Sequence, residues 1–159
     1  MTGTLDFKKF TGEQLPDVVG YVKEYCKNHG NIEVMVGTDS QNKGTKTTYS
    51  TIIAMYDRGD GEHGHGAHCV FKRWNTPREK VRSTRLLKEV EESINIAESL
   101  RSAGVRVKYV DIDINPNPKF KSSEVYTAAY GWVTGAGFEC RYKTLGPLIT
   151  TLADYVVKS

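Results

Sequence analysis

The sequence predicts an α/β fold with a mixed sheet, one helix followed by the order β-β-β-α-β-α-β-α. Three observations carry that prediction. Three strand-like segments succeed one another on short turns between residues 32 and 74. A long segment of helical period then leads to a fourth strand, and a strand–helix–strand crossover implies parallel pairing with an earlier strand. Two more helical segments flank a short last strand. The 159 residues suffice for one compact domain with a real core. Within it, residues 1–30 read as a helical extension and 31–159 as the main unit.

Thr11-Gly-Glu-Gln14 has the form of a capping box, and Gly30 stands where a helix-ending glycine belongs. Leu15, Val18, Val19, Val22, Tyr25 and Cys26 recur between them at helical spacing, which predicts an amphipathic helix. The period then changes. Ile32–Asp39 reads as a mostly buried strand, Asn42–Gly44 as a turn, and Thr47–Tyr56 as a β-branched, aromatic strand. Asp57–His65 is a polar, glycine-rich loop, and Ala67–Trp74 is the third strand of an antiparallel meander. Thr76-Pro-Arg-Glu79 signals a helix start, and that helix runs to about Ala103, where Gly104 stops it. Val105–Asn115 is the fourth strand. After the loop NPNPKF, Ser122 or Ser123 caps a short helix through Val133, ended by Gly135-Ala-Gly137. Phe138–Lys143 is the last strand and Pro147–Lys158 the last helix.

Composition excludes several function classes. The chain is 38% apolar and 26% charged, with a formal charge of +3, ordinary values that permit a polyanionic partner without demanding one. No apolar run is long enough for a membrane helix, and the amino terminus lacks the apolar stretch of a signal peptide. Cys26, Cys69 and Cys140 are odd in number and widely spaced, which argues against a disulfide framework and for a reducing, cytoplasmic setting. They read as small buried or half-buried residues.

The acids are the informative feature. Asp39 ends the first strand in VMVGTDSQ, and a buried carboxylate there needs a partner or a task. Asp111 and Asp113 lie two apart on the fourth strand and so project to one face. If the first and fourth strands are parallel neighbours, these acids converge at their carboxyl ends, where open sheets collect ligands. Crowded carboxylates repel, and a hard divalent cation resolves the repulsion; Mg²⁺ or Mn²⁺ suits oxygen donors better than zinc. The crossover helix offers Glu89, at the border of the stripe Leu86, Leu87, Val90, Ile94, Ala97 and Leu100, with Glu92 in reserve. Glu91, Glu92 and Glu98 are expected to point further into solvent. Asp154, in TLADYVV, is a fourth candidate if the last helix folds over the same edge.

This pattern resembles the ribonuclease H superfamily. Thr38-Asp39 looks like its first-strand Thr-Asp, the 22-residue step from Glu89 to Asp111 resembles its helix-to-strand spacing, and Asp154 is similar to its last acid. GTDSQ, RLLKEVEESI, DINPNPKFKSSEV, GWVTGAGF and LADYVV together resemble the ribonuclease H-like YkuK family over roughly residues 32–158. The resemblance implies a five-stranded mixed sheet flanked by helices. It also implies phosphodiester hydrolysis by two Mg²⁺ or Mn²⁺ ions about 3.5–4 Å apart. In that mechanism Asp39 bridges the ions and Glu89, Asp111 and Asp154 complete the set. Ser-Gln after Thr-Asp departs from the Gly-Ser of true ribonucleases H.

A basic stripe fits a nucleic-acid partner, RNA or DNA. Lys72, Arg73, Arg78, Lys80, Arg82, Arg85 and Lys88 surround Trp74, which can stack on a base or sugar. Lys119 and Lys121 lie just past the fourth-strand acids. The alternative is a solvated helix face paired with Glu79 and Glu92. Tyr126, Tyr130 and Trp132 read as core. His63, His65, His68 and Cys69 invite a zinc reading, but their spacing matches no common zinc motif. The expectation is therefore a metal-dependent nuclease acting on RNA, RNA–DNA hybrid or structured DNA. Its rival is a non-catalytic module of the same fold that binds nucleic acid or a protein partner. A metal-binding regulator built on the histidine loop is the third reading.

Overall fold

The computed structural model describes residues 7–57, 67–112 and 123–142. They form a mixed six-stranded sheet flanked by three helices. In chain order these are β1 (Lys8–Lys9), α1 (Val18–Asn28), β2 (Ile32–Lys43), β3 (Lys46–Asp57), β4 (Ala67–Pro77), α2 (Arg82–Ser102), β5 (Val107–Ile112), α3 (Ser123–Gly135) and β6 (Glu139–Tyr142). The strand order is β1-β4-β3-β2-β5-β6. β2, β3 and β4 are the expected meander, and β5 pairs in parallel with both β2 and β6. The last helix anticipated over 147–158 lies outside the described residues.

Two helix starts differ from the expectation. Residues around the apparent capping box instead turn back: Leu15 N donates to Phe7 O at 2.8 Å, and Gly12 adopts a φ of +97°. Phe7 and Leu15 are both buried in the core, and that burial outweighs the local helix signal. α1 begins only after Pro16, with Asp17 as its cap, accepting from Gly20 N at 3.0 Å. Likewise Thr76-Pro77 does not open α2. Ladder pairing with β3 carries β4 through Thr47↔Thr76 to Lys46↔Pro77, and α2 starts at Arg82 without a side-chain cap. The turn after β2 is also tighter, centred on Gly44 with φ +58°.

Alternation divides the sheet into two faces. One carries Val34, Val36, Ile53, Met55 and Val70, packed against Val18, Val22, Leu86, Val90, Ala97 and Leu100 of α1 and α2. α3 adds Ala129 and Val133 to this core, while Tyr130 and Trp132 are exposed, contrary to their core reading. The other face carries a smaller cluster of Met35, Ile52, Ala54 and Cys69.

β5 holds one irregularity that matters. Val34 pairs with Val107, yet Met35 pairs with Tyr109, so Lys108 is an extra residue in β5. Such a bulge flips every following side chain to the other face. Val107 belongs to the main core, and after the bulge it is Val110 and Ile112 that return there. Tyr109 and Asp111 consequently share the face of Met35 and Gly37.

Candidate metal centre and nucleic-acid interface

Asp39, Glu89 and Asp111 are all buried, at 6%, 4% and 2% exposure. β2 and β5 bring the two aspartates near one another. Gly37 pairs directly with Asp111, and Asp39 stands two residues further along β2 on the same face. Strand spacing and rise put their Cα atoms about 8 Å apart, within reach of one ion for two carboxylates. Gly37 contributes no side chain beside Asp111. Asp39 Oδ1 accepts from Ser40 N at 2.8 Å. The charge of Asp111 is felt by Cys140 on β6, whose thiol is pushed up to about 11, chiefly by burial and then by Asp111.

Glu89 approaches from the other side. Thr38 Oγ1 lies 2.8 Å from Thr51 Oγ1 and 2.7 Å from Ser93 Oγ of α2, so Thr38 faces the helix. Ser40 faces it too, and its hydroxyl donates to Glu89 Oε2. Asp39, between them, projects to the opposite face. Glu89 therefore meets the residue next to Asp39 at the end of β2. Tyr49, the cross-strand partner of Ser40, lies close by, its phenol raised above its ordinary value by burial and then by the Glu89 charge. Ser40, Tyr49 and Gly37 were not singled out as site residues from the sequence. The break in apolar parity between Val107 and Val110 was the one visible signal for the bulge that aims Asp111.

Asp113, Asp154, Lys119 and Lys121 lie outside the described residues, as do His63 and His65. Among the described residues no three His, Cys, Asp or Glu side chains stand close enough to hold one ion. The donors that do come together, Asp39 and Asp111, are both carboxylates. That set fits Mg²⁺ or Mn²⁺, which take one or two carboxylates and complete their shells with water and phosphate oxygens.

Glu92, expected to point toward solvent, is 5% exposed. The reason is Lys72, itself 3% exposed, whose Nζ is 3.7 Å from Glu92 Oε2. Lys88 reaches the other oxygen at 3.4 Å. Lys72 also sits over Trp74, 4.6 Å from its ring centroid, and over Phe7 at 5.4 Å. Lys72 is thus part of the interior and not of a surface stripe. Trp74 is half-buried and stacks on Tyr49 with centroids 5.3 Å apart.

The remaining cations divide between locations. Arg73 is exposed and lies in the row Asp39↔Ser50↔Arg73, hence on the aspartates' face. Arg78 donates to Gly44 O at 2.8 Å, and Arg82 is exposed at the start of α2. Arg85 is half-buried, and its Nε has no hydrogen-bond partner among the described residues. At the far end of β4, His68 bonds Tyr21 Oη through Nε2 at 2.6 Å and stacks on Tyr25. Cys69 is buried, its thiol pushed up to about 11 by that burial. Among the described residues no helix is long and apolar enough to cross a membrane.

A family model described as "Ribonuclease H-like" matches residues 16–158. No curated protein and no solved structure matches the chain significantly. The family match supports a nuclease-like or nucleic-acid-binding module.

Proposed function

The chain belongs to the ribonuclease H-like family, and from that premise we propose that it is a divalent-metal-dependent nuclease. Its substrate is RNA, an RNA–DNA hybrid or structured DNA, and its motifs resemble those of the YkuK-like proteins within the family. The observation that carries the reading is the shared face of Asp39 and Asp111, set by the parallel β2–β5 pairing and the Lys108 bulge. Two buried carboxylates on one side of a glycine gap suit a hard cation and the phosphate it would bring.

Asp39 and Asp111 would hold the metal, with Glu89, Asp113 and Asp154 as further candidates for its shell. When bound, Mg²⁺ or Mn²⁺ supplies Lewis-acid activation of water and charge stabilisation at the scissile phosphate. The chain's own residues do the rest. Ser40 N fixes the Asp39 carboxylate, and the Ser40 hydroxyl fixes Glu89 at the helix side of the strand end. Arg73, on the aspartates' face, is placed to meet the phosphate backbone, with Arg78, Arg82 and Arg85 at the entrance of α2. A reducing cytoplasmic setting remains part of the proposal. It accords with three cysteines that form no disulfide, of which Cys69 is buried.

The test is cleavage of a panel of RNA, hybrid and branched DNA substrates in Mg²⁺ or Mn²⁺. Wild type is expected to cut at least one, and Asp39→Asn to cut none. A panel left intact by wild type, while the protein still binds one member, would favour the non-catalytic module instead.

A further inference from the structure

A cleft of about 460 Å³ opens where β5 and β6 begin, at the end of these strands away from Asp111. Val105, Val107 and Phe138, all buried, form its apolar floor. Three cations line it, Arg101, Arg106 and Lys108, against one acid, Glu139. α2 and α3 both end here, and open carbonyls at their ends would repel an anion. The chain satisfies those carbonyls itself. Val105 N donates to Leu100 O at 3.0 Å and Phe138 N to Val133 O at 3.2 Å, through the left-handed Gly104 and Gly137. Arg101 donates to Ala136 O, just past α3, and its guanidinium lies over the Phe138 ring, 4.4 Å from the centroid. A Cβ on Gly137 would stand 2.9 Å from Arg101 Nη1, so glycine makes room for that guanidinium. Arg101 is thereby anchored, yet its side chain is 47% exposed and lines the cleft. Arg106 is exposed and forms no hydrogen bond or ion pair among the described residues. Lys108 is half-buried beside Glu33 at 3.4 Å.

We infer that this cleft binds a nucleoside phosphate, either as a free nucleotide or as the terminal nucleotide of a strand. A planar guanidinium, anchored on one side and open on the other, is a stacking platform for a base. Arg106 offers the phosphate a fork of donors, and Lys108 adds a point charge beside it. The volume falls within the range of small-ligand sites. A sugar phosphate without a base would leave the Arg101 platform and the apolar floor unused. A neutral apolar ligand would leave Arg106 without an anion. Neither Asp39 nor Asp111 lines the cleft, so the inference does not depend on the nuclease reading.

The test is a nuclear magnetic resonance titration of the isotope-labelled full chain with AMP, ribose 5-phosphate, adenosine and a 5′-phosphorylated tetranucleotide. EDTA is present throughout, which removes metal-bridged binding at the aspartates. AMP is expected to shift the amides of 104–108 and 137–139 saturably. Ribose 5-phosphate and adenosine should each bind about 10-fold more weakly, for want of the stacked base or of the charged contact. Arg106→Ala, at an exposed position, should fold as wild type, weaken AMP about 10-fold and leave adenosine unchanged. Arg101→Lys keeps the charge without the plane and should bring AMP down to the level of ribose 5-phosphate. Saturation of the same amides by the tetranucleotide supports the cleft with a strand end as its ligand. AMP binding without it supports the cleft with a free nucleotide. Absence of AMP shifts at these amides overturns the inference, as does undiminished AMP affinity in Arg106→Ala. Both results leave metal-dependent cleavage standing.

Discussion

Lys72 and Arg73 are neighbours in the chain and opposites in the fold. Lys72 turns toward α2, where Glu92 answers its charge at 3.7 Å and Trp74 and Phe7 flank its ammonium. Arg73 turns toward the face of Asp39 and stays exposed. The same division runs through the sheet. On the helix side, acids meet donors supplied by the chain itself: Glu89 takes the Ser40 hydroxyl, and Glu92 takes Lys72 and Lys88. On the other side, two carboxylates on neighbouring strands are brought to one face beside a glycine. The helix face pairs its charges within the fold, whereas the other face carries two buried carboxylates together with the exposed Arg73. Similar residues thus meet different surroundings according to which side of a strand they leave.

That contrast can be broken from either side. The largest expected effect is on catalysis. Asp111→Asn should lower Mg²⁺-dependent cleavage by more than the roughly 10- to 100-fold that loss of a supporting partner behind a metal ligand costs. Its urea midpoint should hold near that of wild type. If cleavage survives, the aspartate face is not the reactive one.

Next in size is a pure stability effect on the helix face. Lys72→Met takes from the buried Glu92 the cation buried beside it, leaving the half-exposed Lys88, and should cost about 3 kcal/mol in urea denaturation. The double variant Lys72→Met/Glu92→Leu should recover most of that loss, because no charge is then stranded. A Lys72→Met protein of wild-type stability that bound nucleic acid poorly would return Lys72 to the interface.

Much of this division was not legible in the sequence, for a physical reason. The order from α1 to β6 was, because the change from a period of 3.6 to a period of 2 is a local property; the two-residue β1 was not. The placement of Asp39 and Asp111 on neighbouring parallel strands was also legible, since a carboxylate within an apolar strand stands out. The fate of Glu92 was hidden, because its burial depends on Lys72 of β4, twenty residues earlier in the chain and across a helix–sheet interface. The false helix start at Thr76-Pro77 has the same origin, a local signal overruled by ladder pairing with β3. Glu89 was legible as a border residue of the apolar stripe, and it is buried. Its contact with Ser40 depended on knowing that Ser40 and Thr38 face α2.

A smaller effect concerns binding. Arg73→Ala should weaken nucleic-acid affinity uniformly across sequences and reduce the salt slope of log K by about 1, as loss of one phosphate contact requires. Lys72→Met, corrected for folding, should leave that slope unchanged. Equal slopes in wild type and Arg73→Ala would remove Arg73 from the interface.

The smallest effect is a reporter of local charge. Cys69 and Cys140 both have thiols pushed up to about 11, but only Cys140 owes part of the shift to Asp111. Asp111→Asn should lower the alkylation pKa of Cys140 and leave that of Cys69 in place. Because the folded values are raised, the thiols' contribution to stability is fully present below the ordinary value of 9.0. It is lost as pH rises through about 11. The denaturation midpoint should therefore be flat to about pH 9 in this respect and fall beyond it.

The most direct measurement is a Mn²⁺ titration followed by electron paramagnetic resonance, on wild type, Asp39→Asn, Asp111→Asn and Glu92→Gln. Wild type and Glu92→Gln should bind Mn²⁺ alike, while each aspartate variant loses that binding and remains folded by circular dichroism. Mn²⁺ binding that persists in both aspartate variants, or that disappears with Glu92, would contradict the assignment of the metal to the Asp39–Asp111 face.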